Sequence, residues 1–195
     1  MLYRQRERFN KLSVKVGIIF SRLGLSPNQW TLLTLLPTFA ALYFLVREQF
    51  LLSAAFFIIA SFIDLIDGSV ARVTGNVTKL GAYLDTIIDR YVEGIIIIGL
   101  LFVNIPGLLF PSYFWLFIYF FGSMMTTYAK AAAKEKEIAE IKGGFLERAE
   151  RLILLFAGIV AAHFSTLYLS YAIILLAVLT NISAVQRILA AAAKS

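Results

Sequence analysis

Four aspartates interrupt a very apolar part of the sequence. Asp64 and Asp67 follow the run LLSAAFFIIASFI, and Asp85 and Asp89 lie in the stretch GAYLDTIIDR. An ionised carboxylate near the middle of a bilayer costs about 2.5–3.5 kcal/mol on insertion scales. Shared protons or bound cations would relieve the repulsion among such groups. Hard oxygen ligands with a total charge of about −4 suit two Mg²⁺ or similar ions.

The composition indicates an integral membrane protein of one domain, 1–195. Of the 195 residues, 60% are hydrophobic, against about 45–50% apolar residues in soluble domains. The lack of cysteine excludes disulfides and thiolate metal sites. The net charge of +6 is typical of cytoplasmic loops that face anionic headgroups. We expect the lipid bilayer, and no nucleic acid, as a partner, since no ladder of aromatic and basic residues occurs.

Six apolar segments approach the roughly 20 residues that a membrane-crossing helix needs. They are 29–46, 51–72, 80–103, 112–133, 148–163 and 166–189. Lys and Arg collect before the first segment and in alternate connections, which is the pattern of cytoplasmic loops. The expected fold class is therefore an all-α integral membrane protein, a six-transmembrane-helix bundle with both termini cytoplasmic. We expect a multi-pass protein of the plasma membrane whose active site faces the cytoplasm.

The N-terminal part predicts a helix on the membrane surface. Apolar residues recur there at helical spacing among basic ones: Phe9, Leu12, Val16 and Ile19. This pattern is typical of an amphipathic interfacial helix within 1–25, which leaves 26–195 for the bundle. Ser26 and Gln29 then have the spacing of a capping box, with a proline at the first helical position.

The four aspartates are expected to form two layers. Asp67 and Asp85 lie five residues from the cytoplasmic ends of their spans, which corresponds to about 7.5 Å of helix rise. Asp64 and Asp89 lie deeper, about 12–14 Å by the same rise. Because a short loop joins these antiparallel spans, we expect the layers to face each other.

Small residues on the acid-bearing faces point to a ligand that approaches the helix backbones. Gly68, Ala71 and Gly81 lack bulky side chains beside the carboxylates, although small residues in membrane helices also serve packing. Mg²⁺ usually completes its shell with substrate phosphates, and Arg72 could pair with the same phosphates. A diphosphate ligand fits this arrangement.

The stretches DLIDGSVAR at 64–72 and GAYLDTIID at 81–89 match every position of the signature of the CDP-alcohol phosphotransferase family. The length and six-span plan of the chain resemble this family as well. The resemblance implies an enzyme of phospholipid biosynthesis that transfers a substituted phosphate group from a CDP-linked donor to an alcohol and releases CMP. It further implies a homodimer.

The same resemblance implies roles for the signature residues. Asp64, Asp67 and Asp85 would bind two divalent cations, with Mg²⁺ expected and Mn²⁺ as the alternative. Asp89 would lie near one metal and act as the general base. The residues that match CDP contacts are Gly68, Ala71, Arg72 and Gly81.

Acceptor recognition must depend on residues outside the signature. Three predicted spans carry cations toward the cytoplasmic rim: Lys130, Arg148, Arg151 and Arg187. Anchoring at the membrane surface is the alternative explanation for each of them. The segments TTYAKAAAKE and GGFLERAERL resemble the subgroup that accepts inositol phosphate. This resemblance implies that the phosphate of a small phosphorylated polyol is held by Lys130, Arg187 and either Arg148 or Arg151.

Several alternatives remain open. Glycerol phosphate could replace inositol phosphate as the acceptor, and a soluble CDP-inositol could replace the CDP-lipid, such as CDP-diacylglycerol or CDP-archaeol. A cation transporter would also place acids inside the membrane, but the extracellular halves of both acid-bearing spans are apolar. An intramembrane prenyltransferase uses acids and diphosphates, but it does not explain the spacing of Gly, Ala and Arg.

Overall fold

The computed structural model describes residues 13–138 and 145–193. Helices are the regular secondary structure of this part, apart from an isolated bridge between Leu108 and Phe110. The first helix, α1, covers 13–21 of the described residues. The others are α2 (Pro27–Leu33), α3 (Leu35–Val46), α4 (Phe50–Thr74), α5 (Lys79–Leu101), α6 (Ser112–Glu135), α7 (Arg148–Ala162) and α8 (Thr166–Ala192).

The first predicted span, 29–46, is two helices rather than one. Pro37 lies in the first turn of α3, and because proline has no N–H it cannot donate to the carbonyl of Leu33. The helical hydrogen-bond ladder is therefore interrupted, and α2 ends before Thr34. The capping box at the start of α2 is confirmed: the backbone N–H of Ser26 donates to Gln29 Oε1 at 2.8 Å, and Gln29 N–H donates to Ser26 Oγ at 3.3 Å.

Within the described residues, three helical stretches are long and apolar enough to cross a membrane: Pro27–Val46, Phe50–Thr74 and Thr166–Ala192. Helix α5 has 23 residues but carries five charged ones, and α7 has only 15 residues. Large apolar side chains such as Ile58 and Leu175 are exposed on the long helices, as lipid contact requires. The chain is thus an all-helical membrane protein, and the count of six spans stays a prediction.

The chain divides into two compact units, and the first comprises 1–43 and 55–96. Its core contains Trp30, Ile66 and Val70, with partly buried apolar side chains of α1, α2 and α4 packed around them: Val16, Phe20, Leu33 and Ile63. Helix α1 lies directly on α4, since a Cβ added at Gly17 would be 2.5 Å from the carbonyl oxygen of Ser69. Of the predicted interfacial helix, residues 1–12 lie outside the described part, and its membrane-surface position stays a prediction.

The second unit comprises 44–54 and 97–195. In it α6 and α7 both pack against α8. Asn181 of α8 donates from Nδ2 to the carbonyl oxygen of Ile118 at 2.9 Å, which joins α8 to α6 through a polar contact. The Ile118 carbonyl thereby accepts this hydrogen bond in addition to the one within its own helix. Because the surroundings are apolar, the extra bond favours one register between the helices. The expectation of one domain over 1–195 stays a prediction.

Candidate functional site

Helices α4 and α5 bring three of the four predicted metal ligands together. One carboxylate oxygen of each of Asp64, Asp67 and Asp85 lies within 4.8 Å of the others. Asp64 and Asp67 are one turn apart on α4, and Asp85 lies in the second turn of α5. Opposite oxygens around Mg²⁺ are about 4.2 Å apart, so this set of hard donors fits a divalent cation after a small adjustment.

Helix α2 contributes a residue that the sequence interpretation missed. The hydroxyl of Thr31 donates to Asp67 Oδ2 at 2.6 Å, and both residues are buried. This bond fixes the orientation of the Asp67 carboxylate. The only sequence signal is that Thr31 lies one turn after Pro27, at the start of the first predicted span.

Asp89 lies one turn after Asp85 on α5 and is buried, but the carboxylates within 4.8 Å of one another do not include it. Its predicted roles as metal ligand and base remain predictions. Glu93 continues the same stripe by a further turn and was missed. Glu93 is 1% exposed, and its Oε2 lies 3.3 Å from Nη1 of Arg90.

The first unit contains a cavity of about 190 Å³ next to these carboxylates. Its lining includes all four residues predicted to contact CDP, together with Asp67 and Asp85. These four are Gly68, Ala71, Arg72 and Gly81. The α4–α5 loop and the start of α2 line it as well, through residues that the sequence interpretation missed: Asn28, Thr31, Asn76, Val77 and Thr78.

Gly81 permits a close approach of two polar side chains at the start of α5. A Cβ at this position would be 3.1 Å from both Asn28 Oδ1 and Thr78 Oγ1. Thr78 Oγ1 also accepts a hydrogen bond from the Gly81 N–H at 2.9 Å, which satisfies one of the first amides of α5. A larger residue would force Asn28 or Thr78, which both line the cavity, to shift.

Arg72 is held at the edge of this cavity by α1. Its Nη2 donates to Ser13 Oγ at 2.6 Å, and Ser13 and Ser69 share a hydrogen bond of 2.8 Å. Residue 13 begins the described part of α1, so this helix takes part in orienting a predicted nucleotide contact.

The second unit contains a cluster of cations around Thr126 of α6. Nη1 of Arg151 donates to Thr126 Oγ1 at 3.4 Å, and Nη1 of Arg187 donates to the Thr126 carbonyl oxygen at 2.7 Å. Arg151 is only 2% exposed, and Arg187 is also buried. Three helices therefore direct two guanidinium groups and one hydroxyl to a single point. Thr126 was not predicted as a contact, although it is the first residue of the segment TTYAKAAAKE.

The remaining predicted acceptor residues are more accessible. Lys130 is exposed one turn after Thr126, and Arg148 is half-buried at the first position of α7. Of the two arginines that sequence could not separate, Arg151 is the one that shares Thr126 with Arg187. Nη2 of Arg187 further contacts Oε2 of Glu147 at 3.3 Å.

Comparison with known proteins gives a consistent group of relatives. The sequence model of the CDP-alcohol phosphatidyltransferase family matches residues 25–191. Archaetidylinositol phosphate synthase of Pyrococcus horikoshii is 30% identical over 188 residues, which cover 96% of this chain and 95% of that protein.

Solved structures of phosphatidylinositol phosphate synthase from Mycobacterium tuberculosis have a similar fold. The structure with CDP-DAG bound has a TM-score of 0.82 and 29% identity, covering 93% of this chain and 94% of that one. The structure in complex with manganese and citrate has a TM-score of 0.82 and 30% identity, covering 92% and 88%.

Proposed function

Because the chain belongs to the CDP-alcohol phosphatidyltransferase family, we propose that it transfers the phosphatidyl-type group of a CDP-lipid to inositol phosphate and releases CMP. The family activity is a metal-dependent transferase reaction of phospholipid biosynthesis. The observation that carries the proposal is the cavity in which the four small or basic signature residues lie beside Asp67 and Asp85. Family membership also decides against the transporter and prenyltransferase alternatives.

The carboxylates of Asp64, Asp67 and Asp85 would hold two divalent cations, Mg²⁺ or Mn²⁺. When bound, these ions neutralise the diphosphate of the donor and stabilise the departing CMP. Thr31 supports this role, since its hydrogen bond to Asp67 Oδ2 fixes one ligand carboxylate before any ion binds.

The nucleotide end of the donor would occupy the cavity of the first unit. Gly68, Ala71 and Gly81 keep side chains away from the helix backbones there, so that a diphosphate can approach closely. Arg72 would supply a cation, and its contact with Ser13 reduces the conformational freedom lost on binding.

Asp89 would act as the general base. Its carboxylate would accept the proton of the acceptor hydroxyl while that oxygen bonds to the lipid-linked phosphorus of the donor. The bond between this phosphorus and the bridging oxygen breaks, and CMP leaves with the bond electrons. A single in-line step accounts for the signature, which contains no Ser, Cys or His at a fixed position to act as a nucleophile.

The acceptor phosphate would bind the cations of the second unit. Arg187 is the central residue of this proposal, because it is buried and is the only charged residue of α8. Lys130 and one of Arg148 and Arg151 would complete the set. The names of the relatives, archaetidylinositol phosphate synthase and phosphatidylinositol phosphate synthase, support inositol phosphate over glycerol phosphate.

The finer membrane arrangement is also a proposal. Six spans with cytoplasmic termini agree with the positions of α2–α8 along the chain and with the distribution of Lys and Arg. This topology would place the protein in the plasma membrane with its carboxylates facing the cytoplasm. A homodimer remains expected from the family resemblance.

The test is CMP release by the full chain reconstituted in vesicles with divalent cations. CDP-diacylglycerol, CDP-archaeol and CDP-inositol are compared as donors, and inositol 1-phosphate, glycerol 3-phosphate, free inositol and serine as acceptors. We expect saturation by inositol 1-phosphate with a CDP-lipid. Saturation only by free inositol or serine would overturn the phosphate site, and preference for glycerol 3-phosphate would reassign the acceptor.

A further inference from the structure

We propose that Glu147 determines how much negative charge an acceptor must carry. Its carboxylate pairs with Arg187 until the dianionic phosphate of the acceptor displaces it. This inference rests on the proposed function, since it assigns a specificity role to a residue beside the acceptor cations. Neither the signature nor the predicted acceptor set includes Glu147.

The contacts of Arg187 leave one edge of its guanidinium only partly used. Nη1 donates to the carbonyl oxygen of Thr126 at 2.7 Å, a short bond inside the helix packing. On the other edge, Nη2 reaches Glu147 Oε2 at 3.3 Å, and Nε is buried without a hydrogen-bond partner among the described residues. Nε and Nη2 are the two parallel donors that bind an oxyanion in bidentate fashion.

Glu147 occupies this edge weakly. Charge-assisted N–H···O bonds are typically about 2.7–2.9 Å long, so the distance of 3.3 Å is long for such a pair. The Glu147 side chain is 51% exposed, whereas that of Arg187 is 8% exposed. The carboxylate can therefore move into water at little cost, while the guanidinium must keep an anionic partner.

A phosphate fits the edge better than the carboxylate does. It carries a charge of about −1.5 to −2 and three acceptor oxygens, so it can bind Nε and Nη2 together. The guanidinium of Arg151 adds positive charge to the same cluster through its contact with Thr126. A neutral alcohol cannot replace the lost charge of Glu147, and displacement therefore selects phosphorylated acceptors.

The structure also explains why Glu147 stays near Arg187. It precedes the first residue of α7, and its backbone N–H donates to Glu150 Oε2 at 2.7 Å. The backbone of residue 147 is thus fixed by the capping box, which also includes the Glu147 side chain toward the backbone N–H of Glu150. The carboxylate therefore keeps this partner at the start of α7 when it leaves Arg187.

The experiment compares Glu147→Gln with the unchanged chain in reconstituted vesicles. Gln preserves size and hydrogen-bonding capacity but removes the charge that competes with phosphate. We expect the KM for inositol 1-phosphate to fall about two- to fivefold, the range typical of a partly exposed ion pair. Inhibition by inorganic phosphate should strengthen by the same factor, and the KM for the CDP-lipid should not change.

Glu150→Gln is the matched control, because it removes one carboxylate from the same turn of α7 without removing the contact to Arg187. We expect no change in either KM. If Glu147→Gln does not fold, Glu147→Ser serves instead, since Ser is a favourable residue before a helix and also lacks the charge.

The outcomes separate the inference from the proposed function. Unchanged phosphate inhibition and acceptor KM would overturn the displacement by Glu147, and a raised acceptor KM would show that Glu147 binds the acceptor itself. If the unchanged chain is saturated by no phosphorylated acceptor at all, the proposed function fails instead.

Discussion

The carboxylate cluster of the first unit and the guanidinium cluster of the second unit carry opposite charge and differ in their partners. Asp64, Asp67 and Asp85 bring three carboxylates within 4.8 Å of one another and form a candidate cation site. Arg151 and Arg187 are buried cations that share the hydroxyl and carbonyl of Thr126 as acceptors. The carboxylate cluster is thus a candidate site for added cations, whereas the guanidinium cluster already has acceptors from α6 and the carboxylate of Glu147.

The two clusters also differ in how the chain builds them. The three carboxylates fall within one stretch of two consecutive helices, 64–85. The contact between Arg187 and Thr126 joins residues 61 positions apart. The carboxylate cluster depends on helix periodicity and the short connection between α4 and α5, whereas the distant one requires a specific register between α6 and α8.

The largest effect is expected from substitution of Asp89, which is not among the carboxylates within 4.8 Å of one another. Asp89→Asn should lower kcat about 10²- to 10⁴-fold, the usual contribution of a general base, while metal-dependent CDP binding persists. CMP release and calorimetric titration with CDP and Mn²⁺ measure the two quantities. Asp85→Asn is the contrast, since it should lose both. Loss of CDP binding in Asp89→Asn would instead make it a metal ligand or a structural residue.

Arg187→Ala tests the second cluster. Removal of one member of a buried charged contact typically costs about 2–5 kcal/mol, so the KM for inositol 1-phosphate should rise about 100-fold. The KM for the CDP-lipid should change little. Arg187→Lys retains the charge without the bidentate edge and should give an intermediate value. Equal effects on both substrates would remove Arg187 from the acceptor site.

The distance between contacting residues along the sequence explains which site residues could be predicted. Asp64, Asp67 and Asp85 follow from helical spacing and a short loop, and so do the glycines that line the cavity. Thr31 does not, because its partner Asp67 lies 36 residues away and the rotation of α2 depends on the packing of Trp30 against Ile66.

The choice between Arg148 and Arg151 has the same physical cause. Both belong to the first turn of α7, and only the packing of this helix against α8 decides which side chain is buried. Glu93, by contrast, follows the period of Asp85 and Asp89 and could have been recognised from the sequence. The break between α2 and α3 could also have been predicted from the sequence, because Pro37 marks it.

Thr126→Val asks whether the hydroxyl that accepts from Arg151 matters beyond packing. Loss of an acceptor for a buried guanidinium costs about 1–3 kcal/mol, which predicts about a tenfold rise in acceptor KM with unchanged donor KM. Thr126→Ser should restore the original value, because it restores the oxygen. Thr127→Val, at the next position of α6, is the matched control. A failure of Ser to rescue would assign the effect to packing alone.

The smallest effect is expected at the cavity of the first unit. Gly81→Ala would bring a methyl group to 3.1 Å from Asn28 and Thr78, and these side chains of the cavity wall must shift. We expect the KM for the CDP-lipid to rise about fivefold, since overpacking costs roughly 1–3 kcal/mol and both partners are flexible. Gly68→Ala meets only Arg72, at 3.4 Å, and should have less effect. Steady-state kinetics with varied donor measure both.

The interruption at Pro37 has a mechanical consequence. Helix α2 carries Asn28 and Thr31, which line the cavity, yet the carbonyl of Leu33 receives no bond from residue 37. Bending is therefore concentrated at Thr34, as at other proline kinks. The seven residues of α2 therefore need not share the axis of α3, and Asn28 and Thr31 can face the cavity while the twelve residues of α3 keep the direction that a membrane crossing requires.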